Sequence, residues 1–193
     1  MDLTQGTDSS KFARAKKMML WFGIISMVMT FAGLTSAYVV SKTRPDWLTG
    51  FDLPSAFVWS TFVIVASSVT FFLAKKSIAA SKPKNGSAFL IGTLILALLF
   101  VALQFQGFND IISQGYYFTG SESSITTSFI YVLVLVHLAH LAGGLIVLLV
   151  VIYNHFKQRY LPGQMLGVEL GATFWHFVDI LWVYLFLFLY FLR

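Results

Sequence analysis

The sequence has 193 residues, of which 58% are hydrophobic, 11% are charged and none is cysteine. About a quarter of the residues are charged in an average soluble domain, so this composition indicates a chain that lies in the lipid bilayer, and it excludes disulfides, thiolate metal sites and iron–sulfur clusters. The net charge of +5 comes from lysines and arginines in loops and at the N-terminus. They predict orientation and contact with anionic lipid, and give no reason to expect nucleic acid as a partner.

Five apolar segments are each long enough to cross about 30 Å of hydrocarbon. A polar N-terminal tail, 1–17, precedes a run that is too long for a cleaved signal peptide. We place the transmembrane helices at about 18–41, 55–74, 87–107, 125–152 and 166–191, with RPDW, DLP, KPKNG and LPG as breaking sequences in three of the connections. The sequence therefore predicts an all-α integral membrane bundle of five transmembrane helices as one domain, 18–193.

The positive side chains predict the direction of insertion. Ten of them fall on one side of the predicted bundle: Lys11, Arg14, Lys16, Lys17, Lys75, Lys76, Lys82, Lys84, Lys157 and Arg159. Three fall on the other side: Lys42, Arg44 and Arg193. Because loops rich in lysine and arginine stay in the cytoplasm, we expect a cytoplasmic N-terminus and a periplasmic C-terminus.

Five ionisable side chains lie inside the last two predicted helices: His137, His140, Glu169, His176 and Asp179. Such groups are costly when unpaired in lipid, so they usually face protein or water and often mark a functional site. Glu169 and His176 are seven residues apart and share a helix face, and His140 lies at a similar depth in the neighbouring antiparallel helix. This predicts an intramembrane polar cluster of Glu169, His140 and His176, with His137 at its edge.

The residues alone leave three interpretations of these polar groups open. They can satisfy one another and lock the helices together, with Asp179 bonded to a neighbouring helix or to tryptophan indoles. His137 and His140 can ligate a metal or haem, although a spacing of three lacks an obvious third ligand. Glu169 and the histidines can form the proton relay of a small carrier, although the sequence shows no inverted repeat. Small residues four apart, Gly33 with Ala37 and Gly167 with Gly171, predict close helix approaches.

Several motifs resemble one known family. The run GVELGATFWHFVDILWVYLFLFLYF, residues 167–191, resembles the last helix of subunit III of haem–copper terminal oxidases, the cytochrome c oxidase family. Its matching positions are Glu169, Trp175 to Asp179, and Trp182. The run HLAHLAGGL, 137–145, resembles the preceding family helix with its two histidines and the glycines Gly143 and Gly144. The segment 52–74 matches the family's Pro, Thr, Ser-Ser and Ala pattern, and Gln104 matches a family glutamine.

The resemblance implies a non-redox accessory subunit III of the short five-helix bacterial form, in the inner membrane. It implies oxidase subunits I and II as partners, haem and copper in those partners and none in this chain, and structural phospholipid. The family stabilises subunit I of a proton-pumping oxidase and supports proton uptake in aerobic electron transport. The resemblance leaves open whether cytochrome c or quinol is the electron donor, and whether the complex joins a respiratory supercomplex.

The sequence departs from the family pattern at two carboxylates and in its length. Met27 stands where the family has a membrane-embedded glutamate, and Gly107 stands where a further glutamate often follows the glutamine. Many family members have two additional helices that form a lipid-filled cleft. With five spans, this chain has to bind lipid in another way.

Overall fold

The computed structural model describes residues 8–45, 47–48, 53–118, 124–160 and 165–192. Its helices are α1 (Asp8–Ser41), α2 (Ser55–Ala79), α3 (Pro83–Ser113), α4 (Ile125–Phe156) and α5 (Leu166–Leu192). All five are long and apolar enough to cross a membrane. The predicted all-α bundle of five transmembrane helices is confirmed.

The helices extend beyond the predicted spans because backbone hydrogen bonding does not stop where the hydrocarbon does. α1 has 34 residues, or about 51 Å at 1.5 Å per residue, which exceeds the roughly 30 Å of the apolar layer. It begins at Asp8, ten residues before the predicted boundary, because Lys, Arg and Ala in the polar segment are good helix formers. Residues 1–7 of the predicted tail and Arg193 lie outside the described residues.

Local chemistry sets several helix ends. α3 begins at Pro83, which is favourable in the first turn because its missing N–H has no helical partner there. The Ser124 side chain accepts a hydrogen bond from the Thr127 backbone at the start of α4. Ser81 after α2 and Gln158 after α4 have φ of 55° and 50°, which reverses the chain within a few residues.

Four of the helices close into a bundle, and the fifth lies against one side of it. α2 packs extensively on α3, and the pairs α3–α4, α4–α5 and α2–α5 complete the ring. Among the described residues, α1 contacts only α4 and α5. The bundle core is aromatic, with Phe57, Phe71, Phe100, Trp175 and Trp182 all at most 1% exposed.

One end of the bundle carries the ten positive side chains that the sequence places together. The start of α1 and the α2–α3 and α4–α5 connections meet there, because the helices alternate in direction. We call it the basic end. Its location in the cytoplasm stays a prediction.

Candidate functional site

A row of polar contacts joins α5 to α2 through the centre of the bundle. The Trp175 indole donates to the Ser67 hydroxyl at 3.2 Å, and the Trp182 indole donates to the Thr61 hydroxyl at 3.0 Å. Because Trp175 and Trp182 are seven residues apart, both indoles leave the same face of α5. The later tryptophan of α5 bonds to the earlier hydroxyl of α2, as expected for antiparallel helices. The two helices therefore contact each other at two levels along their length.

The histidine of the same motif adds a third contact. His176 Nδ1 lies 2.6 Å from the Ser68 hydroxyl. These α2 hydroxyls belong to the Thr and Ser-Ser pattern of segment 52–74, for which the sequence predicted no partners. The spacing carried no signal for these pairs, because the hydroxyl partners of the two tryptophans, Thr61 and Ser67, are six residues apart, whereas Trp175 and Trp182 are seven apart.

Hydroxyl and amide groups also join α2 to α3. The fully buried Gln104 donates from Nε2 to the Ser60 hydroxyl at 2.8 Å, and the Thr70 and Thr93 hydroxyls are 2.9 Å apart. These bonds satisfy polar atoms that lipid could not satisfy. Gln104 therefore links α3 to α2 through Ser60.

His137 and Asp179 are two deeply buried ionisable groups of the bundle. The His137 ring is fully buried and packs at 5.1 Å from the Trp182 ring and 6.1 Å from the Phe100 ring. Asp179 is 2% exposed. Neither His137 nitrogen has a hydrogen-bond partner among the described residues. The Asp179 carboxyl lies near the Ser68 hydroxyl of α2, without a hydrogen bond of ordinary geometry. Of the two partners expected for Asp179, the indoles donate to Ser67 and Thr61 instead, and a bond to the neighbouring helix α2 stays a prediction.

The predicted polar cluster does not form, because each member has a different partner. Glu169 lies 3.0 Å from the Lys17 ammonium of α1. His140 Nδ1 donates to the Val136 carbonyl at 2.7 Å, and the His140 ring packs on Phe31 of α1. His176 instead faces α2. A similar depth along two helices does not determine the direction in which a side chain faces around its helix axis.

The glycines of the family motifs differ in what they face. A Cβ on Gly171 would meet Val151 at 2.9 Å, one on Gly144 would meet the Trp175 ring at 3.3 Å, and one on Gly167 would meet the Tyr160 hydroxyl at 2.8 Å. These three positions therefore permit close packing inside the chain. Gly143 and Gly33 are different, because a Cβ there would meet nothing within 4 Å among the described residues, and a packing role for these two glycines stays a prediction.

The two family carboxylate positions also have structural explanations. A Cβ on Gly107 would lie 2.8 Å from the Phe57 ring, so a larger residue has no room there without moving α2. Met27 is a half-buried residue of α1. At Gly107, α3 therefore approaches α2 closely. At position 27, the chain has an apolar side chain in place of the family carboxylate.

Two grooves flank the contact between α1 and α5. The first, which we call the α4 groove, has a volume of about 620 Å³. Its polar end is formed by Lys16, Asn154 and Tyr160, and its apolar walls include Gly143 and Val150. The second, which we call the α2 groove, lies on the opposite side of α1. At the basic end it is lined by residues that include Lys17, Trp21, Lys75, Glu169 and Thr173.

Within the described ranges, no three His, Asp or Glu side chains lie together as a metal site would require. His137 and His140 point to different neighbours, Trp182 and Phe31. The location of haem and copper in partner subunits stays a prediction.

Comparison with known proteins identifies the family. The family model described as "Cytochrome c oxidase subunit III" matches residues 3–193. The probable cytochrome c oxidase subunit 3 of Nocardia farcinica is 31% identical over 87% of this chain and 83% of its own length. The cytochrome bo(3) ubiquinol oxidase subunit 3 of Buchnera aphidicola is 26% identical over 93% of this chain and 88% of its own length.

Relatives extend beyond bacteria. The cytochrome c oxidase subunit 3 of Loxodonta africana is 30% identical over 86% of this chain and 66% of its own length. With five membrane-spanning helices and bacterial relatives of similar length, this is a multi-pass protein of the bacterial inner membrane. The motifs of α4 and α5 and the match over almost the whole sequence agree, and the chain belongs to the cytochrome c oxidase subunit III family.

Proposed function

We propose that this chain is the non-redox subunit III of a proton-pumping haem–copper terminal oxidase, in which it stabilises subunit I, binds phospholipid and supports proton uptake. The observation that carries this proposal is the use of the WHFVDILW motif. Its indoles and its histidine bond to Ser67, Ser68 and Thr61 inside the chain. A motif whose donors are used within the bundle supports a structural scaffold.

The scaffold presents its outer surface to lipid and to partner subunits. α2 exposes Trp59, Phe62 and Phe72, each more than half exposed. Large apolar surfaces of this kind are normal toward lipid and suit a neighbouring membrane subunit equally well. Subunit I would then pack on an α2–α5 unit whose indoles and His176 are already paired with the hydroxyls of α2.

Phospholipid binding is supported by the α4 groove. From Asn154 to Gly143 the groove runs over 11 residues of α4, or about 16 Å at 1.5 Å per residue. That is close to one leaflet of a bilayer with about 30 Å of hydrocarbon. Lys16 and Asn154 suit a polar headgroup, and the open position of Gly143 leaves room for an acyl chain. We expect Gly143→Leu to reduce the phospholipid that copurifies, whereas Gly33→Leu should not.

Support for proton uptake is proposed for the basic end. Glu169 is 41% exposed beside Lys17, and a carboxylate at this position can exchange protons with water. Its replacement by glutamine should slow turnover-linked proton uptake while leaving assembly intact. Unchanged uptake in Glu169→Gln would remove this part of the proposal.

The electron donor belongs to the partner subunits. Relatives include proteins named as subunit 3 of cytochrome c oxidases and one named as subunit 3 of a ubiquinol oxidase. The second name supports a quinol oxidase as the alternative assignment for this chain. Both assignments make the same predictions for the bundle, and they differ only in the substrate that the purified complex oxidises.

The test is purification of the tagged chain from its native membranes in mild detergent. We expect two larger subunits and a haem signal in the reduced-minus-oxidised spectrum. Assays with reduced cytochrome c and with quinol then identify the donor. The double variant Ser67→Ala/Ser68→Ala should recover less haem per tagged chain, and Ser26→Ala, an exposed position of α1, is the matched control. A colourless preparation of this chain alone would contradict the proposal and favour the proton-coupled carrier.

A further inference from the structure

One carboxyl group lies between the two indole bonds that join α5 to α2. Asp179 follows Trp175 by four residues and precedes Trp182 by three, so the three side chains leave α5 on one face. All three are at most 2% exposed. Asp179 therefore lies inside the bundle, at a level between the bond of Trp175 to Ser67 and the bond of Trp182 to Thr61.

The surroundings of this carboxyl do not stabilise a negative charge. Neither oxygen of Asp179 accepts a hydrogen bond from a described residue. The structure also pairs no cation of the described ranges with it, and the ammonium of Lys17 is bound to Glu169 instead. An ionised carboxylate that is buried without donors or a cation is far more costly than the neutral acid, which needs one acceptor for its hydrogen. Burial therefore favours the protonated form of Asp179.

The Ser68 hydroxyl connects this carboxyl to a histidine of the same motif. It lies near the Asp179 carboxyl and 2.6 Å from His176 Nδ1. A hydroxyl has one hydrogen to donate and lone pairs with which to accept. Ser68 can therefore bond to both groups when one of them supplies a hydrogen and the other accepts one, and the three side chains form a chain that can run in either direction.

Burial also decides the direction of this chain. If His176 Nδ1 carried the hydrogen, Ser68 would donate to Asp179, and either a carboxylate charge or the hydrogen of the acid would lack a partner inside the bundle. If Asp179 carries the hydrogen, the acid donates to Ser68 and Ser68 donates to His176 Nδ1. Every hydrogen of the chain then has an acceptor. One carbonyl oxygen of the acid stays unpaired, which is less rare in proteins than an unpaired buried donor.

We propose that Asp179 is a neutral carboxylic acid that donates to Ser68, and that Ser68 donates to His176 Nδ1. The bond needs the carboxyl to turn about its terminal torsion, which has a broad energy minimum. The chain places the imidazole hydrogen of His176 on Nε2, adds a further bond between α5 and α2, and leaves no net charge at this level of the bundle. The assignment is independent of the proton exchange proposed for Glu169, which is 41% exposed at the basic end.

The test is infrared spectroscopy of the purified complex, because the C=O stretch of a protonated carboxyl is separate from the bands of a carboxylate and shifts in heavy water. We expect the wild-type spectrum minus that of Asp179→Asn to contain a carboxylic acid band at neutral pH. Ser68→Ala should move this band to higher frequency, because the acid loses its hydrogen-bond acceptor. The measurement requires only the folded chain, so it can also be made if the chain purifies without partner subunits.

Two control variants make the test specific. Ser67→Ala removes the adjacent hydroxyl, which accepts from Trp175, and should leave the acid band where it is. Glu169→Gln should remove carboxylate bands and no acid band, since Glu169 forms an ion pair with Lys17. The haem content per tagged chain reports whether each variant still assembles.

Either of two results overturns the inference. In the first, Asp179→Asn removes carboxylate bands in place of an acid band. In the second, Ser68→Ala has the same effect on the acid band as Ser67→Ala. The comparison of the two serines leaves Asp179 in place, so it decides the question even if Asp179→Asn fails to assemble.

Discussion

α1 and the α2–α5 bundle are held by different kinds of contact. Inside the bundle, indole, imidazole and amide groups bond to buried or half-buried hydroxyls of α2. α1 is attached by contacts near its two ends: Lys17 to Glu169 at one end, and Thr35 to the Tyr184 hydroxyl at 3.2 Å toward the other. Between them, few α1 side chains are buried, such as Ile24 and Phe31.

The difference explains where the grooves lie. A helix that packs along its whole length leaves no space beside it, whereas a helix fastened near its ends leaves grooves on both sides. The proposed lipid site, the α4 groove, flanks α1, and Gly143 widens it. The predictions below test whether the bundle is the stable unit and α1 the weakly attached element.

The largest effect is expected for Trp175→Ala. The side chain is 1% exposed, bonds to Ser67 and packs against Gly144. Truncation of a buried tryptophan costs about 3–5 kcal/mol, which should prevent assembly or strongly lower the midpoint of denaturation in detergent micelles. Trp59→Ala, at a position that is 65% exposed, is the control. Equal loss in the two variants would mean that the bundle core is not the source of stability.

A smaller but clear effect is expected for Gly107→Leu. The new side chain would collide with the Phe57 ring, since even a Cβ would lie at 2.8 Å. Overpacking of this kind costs about 1–3 kcal/mol. Gly92→Leu is the matched control in the same helix, where a Cβ meets nothing within 4 Å. Unfolding titrations that show the same midpoint for both would contradict the close approach of α3 to α2.

Removal of the Ser68 hydroxyl should have a moderate effect. Ser68→Ala leaves His176 Nδ1 without its partner at 2.6 Å, and hydrogen bonds between membrane helices contribute about 0.6 kcal/mol on average, with a maximum of about 1.7. Ser26→Ala should change nothing. The same measurement on His140→Ala and His176→Ala separates the two histidines, because only His176 bonds across to another helix.

The Lys17–Glu169 pair should contribute least to global stability. Its side chains are 52% and 41% exposed, and exposed pairs contribute about 0.2–1 kcal/mol, less at high salt. A double-mutant cycle with Lys17→Gln and Glu169→Gln should give a small coupling energy that falls as salt is added. Spin labels on α1 and α4 should report greater α1 mobility in the variants. A coupling energy as large as the effect of Trp175→Ala would show that α1 is part of the stable unit.

A final prediction concerns the turn between α4 and α5. Burial raises the pKa of Tyr160 above its ordinary value of 10.0. The folded state therefore favours the neutral phenol, and this contribution to stability is present below pH 10 and is lost as the pH rises through the folded-state pKa. Difference absorbance titration of wild type against Tyr160→Phe should reveal one tyrosine that ionises late. Normal ionisation of that tyrosine would mean that the turn is open to solvent.

The partners of the polar side chains show how much of the site could be predicted from the sequence. The spacing of Glu169, His140 and His176 predicted one polar cluster, but these side chains pair with Lys17, Val136 and Ser68. The partners of the two tryptophans could not be predicted from spacing, because Thr61 and Ser67 are six residues apart whereas Trp175 and Trp182 are seven apart. No pattern predicted the ion pair either, since α1 and α5 are far apart in the sequence.

The sequence by itself determined the number of membrane-spanning helices, their all-α class and the residues that carry charge or polarity inside them. These properties follow from hydropathy and helical periodicity, which belong to each segment separately. Only the tertiary structure decided which face of each helix meets which neighbour, and hence that Gly107 packs on Phe57 while Gly143 opens into a groove. Those outcomes depend on the rotation and separation of helices, which packing sets for the bundle as a whole.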